Sequence, residues 1–261
     1  MKHARLLCLT VCCLLACACA RQPVSLAPEQ ANATWQRYLA AAGHTPPTAG
    51  RAQLSLRFGK EGDSRRVTAL MWGNRNGPLR LDIMAGVGVS VAKIAETDTT
   101  FLIYAPYDKK AYVHSGPQKP LLKVGLPIPL QLSAVFDLLN GEYAALFGER
   151  HAGATLNAKQ EVVFSVQDGP LTGTLTLTEN GQPARWRQEG GKGWEMTILY
   201  DESTPPLPRR VDLIHTDGHQ AIVLVKNRET LTTPFTEAQM RLTLPEGTPV
   251  APLSEYKNSN K

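Results

Sequence analysis

The sequence predicts a mainly β domain: a strongly curved antiparallel sheet or barrel of about 11 strands, with an N-terminal helix and an inserted helical lid. Three observations predict it. Apolar and polar residues alternate through most of residues 54–244, the period of strands with one buried face. Turn signals built on Gly and Asn separate the alternating runs. No alternating βα units occur, which argues against a doubly wound nucleotide fold.

The elements follow in order. Pro28 to Ala42 reads as a helix, with Pro28 and Glu29 suiting its start and Gly43 its end. Thr34, Trp35, Tyr38, Leu39 and Ala42 fall on one face, a stripe that packs against the body of the domain. Period-two alternation then runs through Leu54-Leu56-Phe58, Leu79-Leu81-Ile83, Val87-Val89-Val91 and Phe101-Ile103. It resumes at Leu171-Leu175-Leu177, opposite four threonines, and at Trp194-Met196-Ile198-Tyr200. Val211-Leu213-His215, Ile222-Leu224 and Met240-Leu242-Leu244 continue it. Hairpin turns are marked by Glu61-Gly62-Asp63, Asn74 to Gly77, Glu179-Asn180-Gly181 and Thr216-Asp217-Gly218. One segment interrupts the pattern. Pro129 to Asn140 carries Leu132, Val135, Phe136 and Leu139 at i, i+3, i+4 and i+7, and Glu142 to Phe147 ends at Gly148. Such amphipathic helices between two sets of strands can cover an open end of the curved sheet.

The N-terminus predicts location. Met1 to Arg5 is a short positive region, Leu6 to Leu15 is apolar, and Leu14-Leu15-Ala16-Cys17 closes it, the layout of a bacterial lipoprotein signal. Ten apolar residues are too few for a spanning helix, which needs roughly 20. Residues 1–16 are therefore read as a removed signal and Cys17 as the lipidated N-terminus. Cys19 is the rival, without a large aliphatic residue three positions upstream. Ala18 after the cysteine points to the outer membrane, periplasmic face. Residues 17–27 form a tether that reaches at most about 35 Å, residues 28–253 the domain, and residues 254–261 a flexible tail.

All five cysteines precede residue 20. The domain thus excludes thiol catalysis and cysteine-based zinc, and its core must hold without disulfides. Loss of the signal leaves 26 basic against 23 acidic residues, a net of +3. No basic run with interleaved aromatics suggests nucleic acid. No G-x-S-x-G elbow, H-E-x-x-H or P-loop is present, so no enzyme and no cofactor is expected. His215 and His219 flank a turn in a geometry open to a metal, but two ligands without a third read as exposed hairpin residues.

Gly125-Leu-Pro-Ile-Pro-Leu130, leading into the helix that ends at Asn140-Gly141, resembles the LolB outer-membrane lipoprotein receptors and their soluble LolA relatives. Trp194 to Leu231, Trp35-Gln36-Arg37 and the Leu79-to-Ile94 hairpin are similar in order and spacing. The resemblance implies a half-open antiparallel β-barrel wrapped around helices, a monomer with an apolar cavity for the acyl chains of lipoproteins or lipids. It implies a periplasmic LolA-like carrier as partner and insertion of lipoproteins into the outer membrane. Val87 holds the position of the family's membrane-insertion tip, where the family has Leu in an Asn-Pro-Leu-Gly context. The stretch from Met240 to Pro245 and Val250 to Leu253 lies beyond the matched region and could add a strand.

Candidate cavity residues are Leu81, Ile83, Val89, Val91, Phe101, Ile103, Leu175, Leu177, Met196 and Ile198, and candidate lid contacts are Leu132, Val135, Phe136 and Leu139. Periodicity alone reads all of these as a closed core; the resemblance and the anchor turn the reading toward acyl-chain binding. A carrier of another envelope lipid and an assembly lipoprotein with a filled barrel are the alternatives.

Overall fold

The computed structural model describes residues 24–25, 28–42, 47–60, 62–86, 88–116 and 120–257. Cys17, Cys19, Gly43 and Val87 lie outside the described residues.

Fifteen strands among the described residues form one sheet. After β1 (Val24–Ser25) and helix α1 (Pro28–Ala42) comes a six-stranded meander: β2 (Ala49–Lys60), β3 (Asp63–Asn74), β4 (Leu79–Ala85), β5 (Val89–Glu96), β6 (Thr100–Ala105) and β7 (Lys110–Ser115). An insertion follows with three short helices, α2 (Pro120–Lys123), α3 (Leu132–Leu139) and α4 (Tyr143–Phe147). The second meander is β8 (His151–Leu156), β9 (Val162–Val166), β10 (Gly173–Leu177), β11 (Pro183–Gln188), β12 (Trp194–Tyr200), β13 (Pro208–His215) and β14 (His219–Leu231). A turn of helix α5 (Glu237–Met240) and β15 (Val250–Pro252) follow.

Strand β14 pairs with β2 and so joins the two meanders, in the order β1-β8 to β14-β2 to β7-β15. Pairing is antiparallel except where β15 adds in parallel to β7. The sheet does not close. Its two ends, β1 and β15, have two and three residues, which keeps the exposed ladder short. This is the half-open antiparallel barrel expected, with more strands than the alternation alone revealed.

One face of the sheet is concave and apolar. Leu54 and Leu56 on β2, Val67 and Met71 on β3, and Leu213 on β13 all lie in one buried cluster with the insertion. Helix α3 turns its stripe of Leu132, Val135, Phe136 and Leu139 into that face, against β4, β13 and α4. The Phe136 ring passes so close to β2 that a Cβ on Gly50 would lie 3.4 Å from it. Each such side chain contributes about 1.5–3 kcal/mol of burial. Helix α1 covers the start of the second meander: Trp35 Nε1 donates to the Glu149 carbonyl at 2.9 Å and Tyr38 Oη to the Gly148 carbonyl at 2.9 Å. Ala31, Thr34, Trp35 and Tyr38 are its buried residues, with Leu39 packed at the edge.

Three expectations are corrected. On β5 the buried positions are Ala92, Ile94 and Glu96, and Val89 is 65% exposed, so it lines no cavity. Past a register shift between Ile83 and Met84 it pairs with Ala85, at the hairpin end of β5 and beyond the buried rungs. Met240-Leu242-Leu244 alternates but forms no strand. Its carbonyls at Met240 and Arg241 accept from the Arg80 guanidinium, at 3.4 and 2.9 Å, instead of from a ladder. The body also continues past residue 253: Leu253–Glu255 is a 3₁₀ turn, and Tyr256 stacks edge-on against Tyr112 at 5.0 Å.

Candidate functional site

Strand parity carries the concave stripe from apolar to charged along five adjacent strands. On β2 it runs Leu54, Leu56, Phe58, Lys60; on β3, Met71, Ala69, Val67, Arg65, Asp63, with Phe58 opposite Arg65 and Lys60 opposite Asp63. On β14 it runs Val223, Ala221, His219, and His219 pairs with Lys60. On β13 and β12 it ends in His215 opposite Trp194. The deep rungs are buried and the last rungs reach solvent.

The insertion covers the deep rungs but not the last ones. Between these and the α2 segment lies a cleft of about 600 Å³, lined by Phe58, Lys60, Arg65, Leu122, Pro127, Trp194, His215 and His219. That is the size of a small-molecule pocket. Its floor is apolar: Phe58 is half-buried, Trp194 is 8% exposed, and Leu122 of α2 is 37% exposed. Gly59 shapes one wall with φ +144°, where a Cβ would meet the Asp63 carbonyl at 2.1 Å.

Its rim is ionic. Asp217 Oδ1 stands 2.8 Å from Nδ1 of both His215 and His219. The His219 N–H and then the two imidazoles hold the Asp217 carboxyl well below the ordinary carboxylate range. Trp194 stacks on the His215 ring at 4.9 Å. Among the described residues no group of three or more ligating side chains could hold a metal ion.

A second feature fixes the insertion. Glu96 faces inward on β5, 8% exposed, and its carboxylate accepts from the N–H of Leu132 at 3.1 Å and of Ser133 at 2.9 Å. Gln131 at the N-cap makes no side-chain cap, so a strand residue caps α3 instead. Burial pushes the Glu96 carboxyl up, against the pull of those two N–H groups. At the other end of α3, burial and then the Glu142 charge push Asp137 up to about 6, against Arg75.

Of the candidate cavity residues, Leu81, Ile83, Phe101, Ile103, Leu175, Leu177, Met196 and Ile198 join the four lid residues in one buried cluster. Val91 is half-buried at its edge and Val89 is outside. The deep concave face is therefore occupied by the insertion, and the open part is the mouth. Sequence reasoning placed none of the mouth residues together except His215 with His219, because β2 and β14 meet only in the folded sheet. The role of Glu96 is also not legible in the sequence, because the amides it accepts from lie 36 and 37 residues away on the insertion.

No family model matches the sequence, and no curated protein does so. Among solved structures the chain is similar to a DUF1329 family protein from Desulfovibrio piger, with TM-score 0.55 and 8% identity over 81% of this chain and 97% of that one. It is also similar to a LolA superfamily protein from Nitrosomonas europaea, with TM-score 0.48 and 13% identity over 80% of this chain and 98% of that one. At 8% identity the first likeness establishes the shared fold and nothing further; the second, at 0.48, adds no argument.

Proposed function

We propose that this protein is an envelope lipoprotein that binds acyl chains in its concave face and exchanges them with the outer membrane. The observation that carries the reading is the mouth: an open cleft with an apolar floor at the end of an otherwise buried apolar face. A hydrocarbon tail entering past Phe58, Leu122 and Trp194 meets the buried stripe directly. Driving force scales with apolar area removed from water, so the site selects tails without regard to their detail. Deeper entry displaces the insertion, whose short helices are held by packing and by Glu96 rather than by their own caps. The finer reading is reception of lipoproteins from a LolA-like periplasmic carrier and their insertion into the outer membrane, with Cys17 as the lipidated anchor. Among the described residues no helix is long and apolar enough to cross a membrane.

The test uses the full chain carrying Cys17→Ser, titrated with a fluorescent fatty-acyl probe, with Leu122→Glu as the comparison. Leu122 is partly exposed, so the variant folds. Saturable binding that Leu122→Glu abolishes supports the reading. Absence of binding, or binding indifferent to Leu122, contradicts it and favours an assembly lipoprotein with a filled barrel.

A further inference from the structure

The ionic rim and the apolar floor share one cleft, and the order along each strand is fixed: hydrocarbon side chains deep, charge at the opening. That gradient matches a molecule with a tail and a charged head. We infer that the mouth is a headgroup site for an acyl lipid with a phosphate-type anionic head, contacted by Lys60, Arg65, His215 and His219. The inference rests on the acyl-chain reading and adds the class of cargo.

Lys60 on β2 and Arg65 on β3 point to the concave side at the last rungs, beside Phe58. From β3 Asp63 faces the same space, from the β13–β14 turn Asp217, from β13 His215 and from β14 His219. The contributions of β12 and the α2 segment, Trp194, Leu122, Gly125 and Pro127, carry no charge. Lys60 and Arg65 thus share the opening with Asp63 and Asp217. Asp217 Oδ1 lies 2.8 Å from Nδ1 of both rings, so this carboxylate is engaged by the two histidines, and Lys60 and Arg65 are the cations offered to an anionic head. An uncharged diacylglyceryl group, by contrast, gains nothing from the rim.

The experiment places the full-length protein in phosphatidylcholine vesicles with either of two photoactivatable lipids of identical tails, phosphatidate or diacylglycerol. Crosslinks are mapped by peptide mass spectrometry. Phosphatidate is expected to label the mouth peptides more strongly than diacylglycerol does. Lys60→Glu and His219→Gln are each expected to lower that labelling roughly tenfold, the scale of one lost charge-assisted hydrogen bond. Neither should alter diacylglycerol labelling, and Lys192→Glu, on an exposed turn at the same end of the sheet, should alter neither. Equal labelling by both lipids, untouched by Lys60→Glu, overturns the headgroup inference and leaves the acyl site standing. If neither lipid labels the mouth, the acyl site itself fails. Displacement by inorganic phosphate as complete as by unlabelled phosphatidate would make this a free-phosphate site and overturn the lipid assignment.

Discussion

Replacing Glu96 by Ala removes the cap of α3 and loosens the insertion that fills the concave face. Two N–H groups lose their acceptor, and Leu132, at 1% exposure, cannot turn its own to water. An unsatisfied buried donor costs about 1–3 kcal/mol, and loss of an N-cap about 0.5–2 kcal/mol. Against this, the carboxylate no longer has to be desolvated, the effect that raises its pKa. The expected net loss is about 1–2 kcal/mol, or roughly 2–8 °C in Tm for a domain of this size. The pH dependence has a definite sign. The folded protein holds the Glu96 proton where the unfolded chain has released it, so this group's stabilisation is present below its ordinary pKa and lost as pH rises through the raised one. Urea unfolding of wild type and Glu96→Ala should show the larger gap at the acidic end of that window. Hydrogen exchange at the Leu132 and Ser133 amides should accelerate in the variant. An unchanged stability, or a gap that widens toward alkaline pH, would refute the reasoning.

Asp137→Asn should stabilise the protein above pH 6 by about 1–2 kcal/mol after solvent screening, because the raised Asp137 carboxyl loses its contribution as pH rises through about 6; below pH 4 denaturant midpoints should converge. Arg80→Ala should cost about 2–4 kcal/mol and expose the Met240–Arg241 backbone to proteolysis, since the Arg80 guanidinium serves Ile94, Met240 and Arg241 carbonyls and stacks over Trp72 at 4.9 Å. Val87→Glu, between Gly86 and Gly88, should leave acyl-probe binding unchanged but reduce transfer of a purified lipoprotein into liposomes.

Local signals in the sequence were strong where one element suffices to make them. The Pro28–Ala42 helix, the α3 stripe and the hairpin turns depend on spacing within a few residues, and the structure has each of them. The deep concave residues were legible for the same reason: Leu175 and Leu177 alternate with threonines whichever strand they meet. What failed depends on distant partners. Val89 was misread because alternation does not show that β5 begins there, at the exposed end of its hairpin with β4. The Met240–Leu244 run alternates like a strand, yet a buried arginine 160 residues away takes its carbonyls. The mouth was invisible because Lys60 and His219 become neighbours only through the β2–β14 pairing that closes the two meanders into one sheet. Arg65 joins the mouth because the register of β3 on β2 sets it opposite Phe58, a pairing no local pattern announces.

The most direct measurement of the central claim uses Trp194, which lines the mouth, while Trp35 and Trp186 are buried elsewhere and Trp72 lies half-buried on β3 beneath Arg80. Fluorescence of the full-length protein would be recorded in vesicles whose lipids carry bromine near the ends of their acyl tails. Entry of tails into the cleft predicts quenching in the wild type that disappears in Trp194→Phe and weakens in Leu122→Glu. Quenching absent from the wild type, or equal in the wild type and Trp194→Phe, would mean that acyl chains do not enter the mouth.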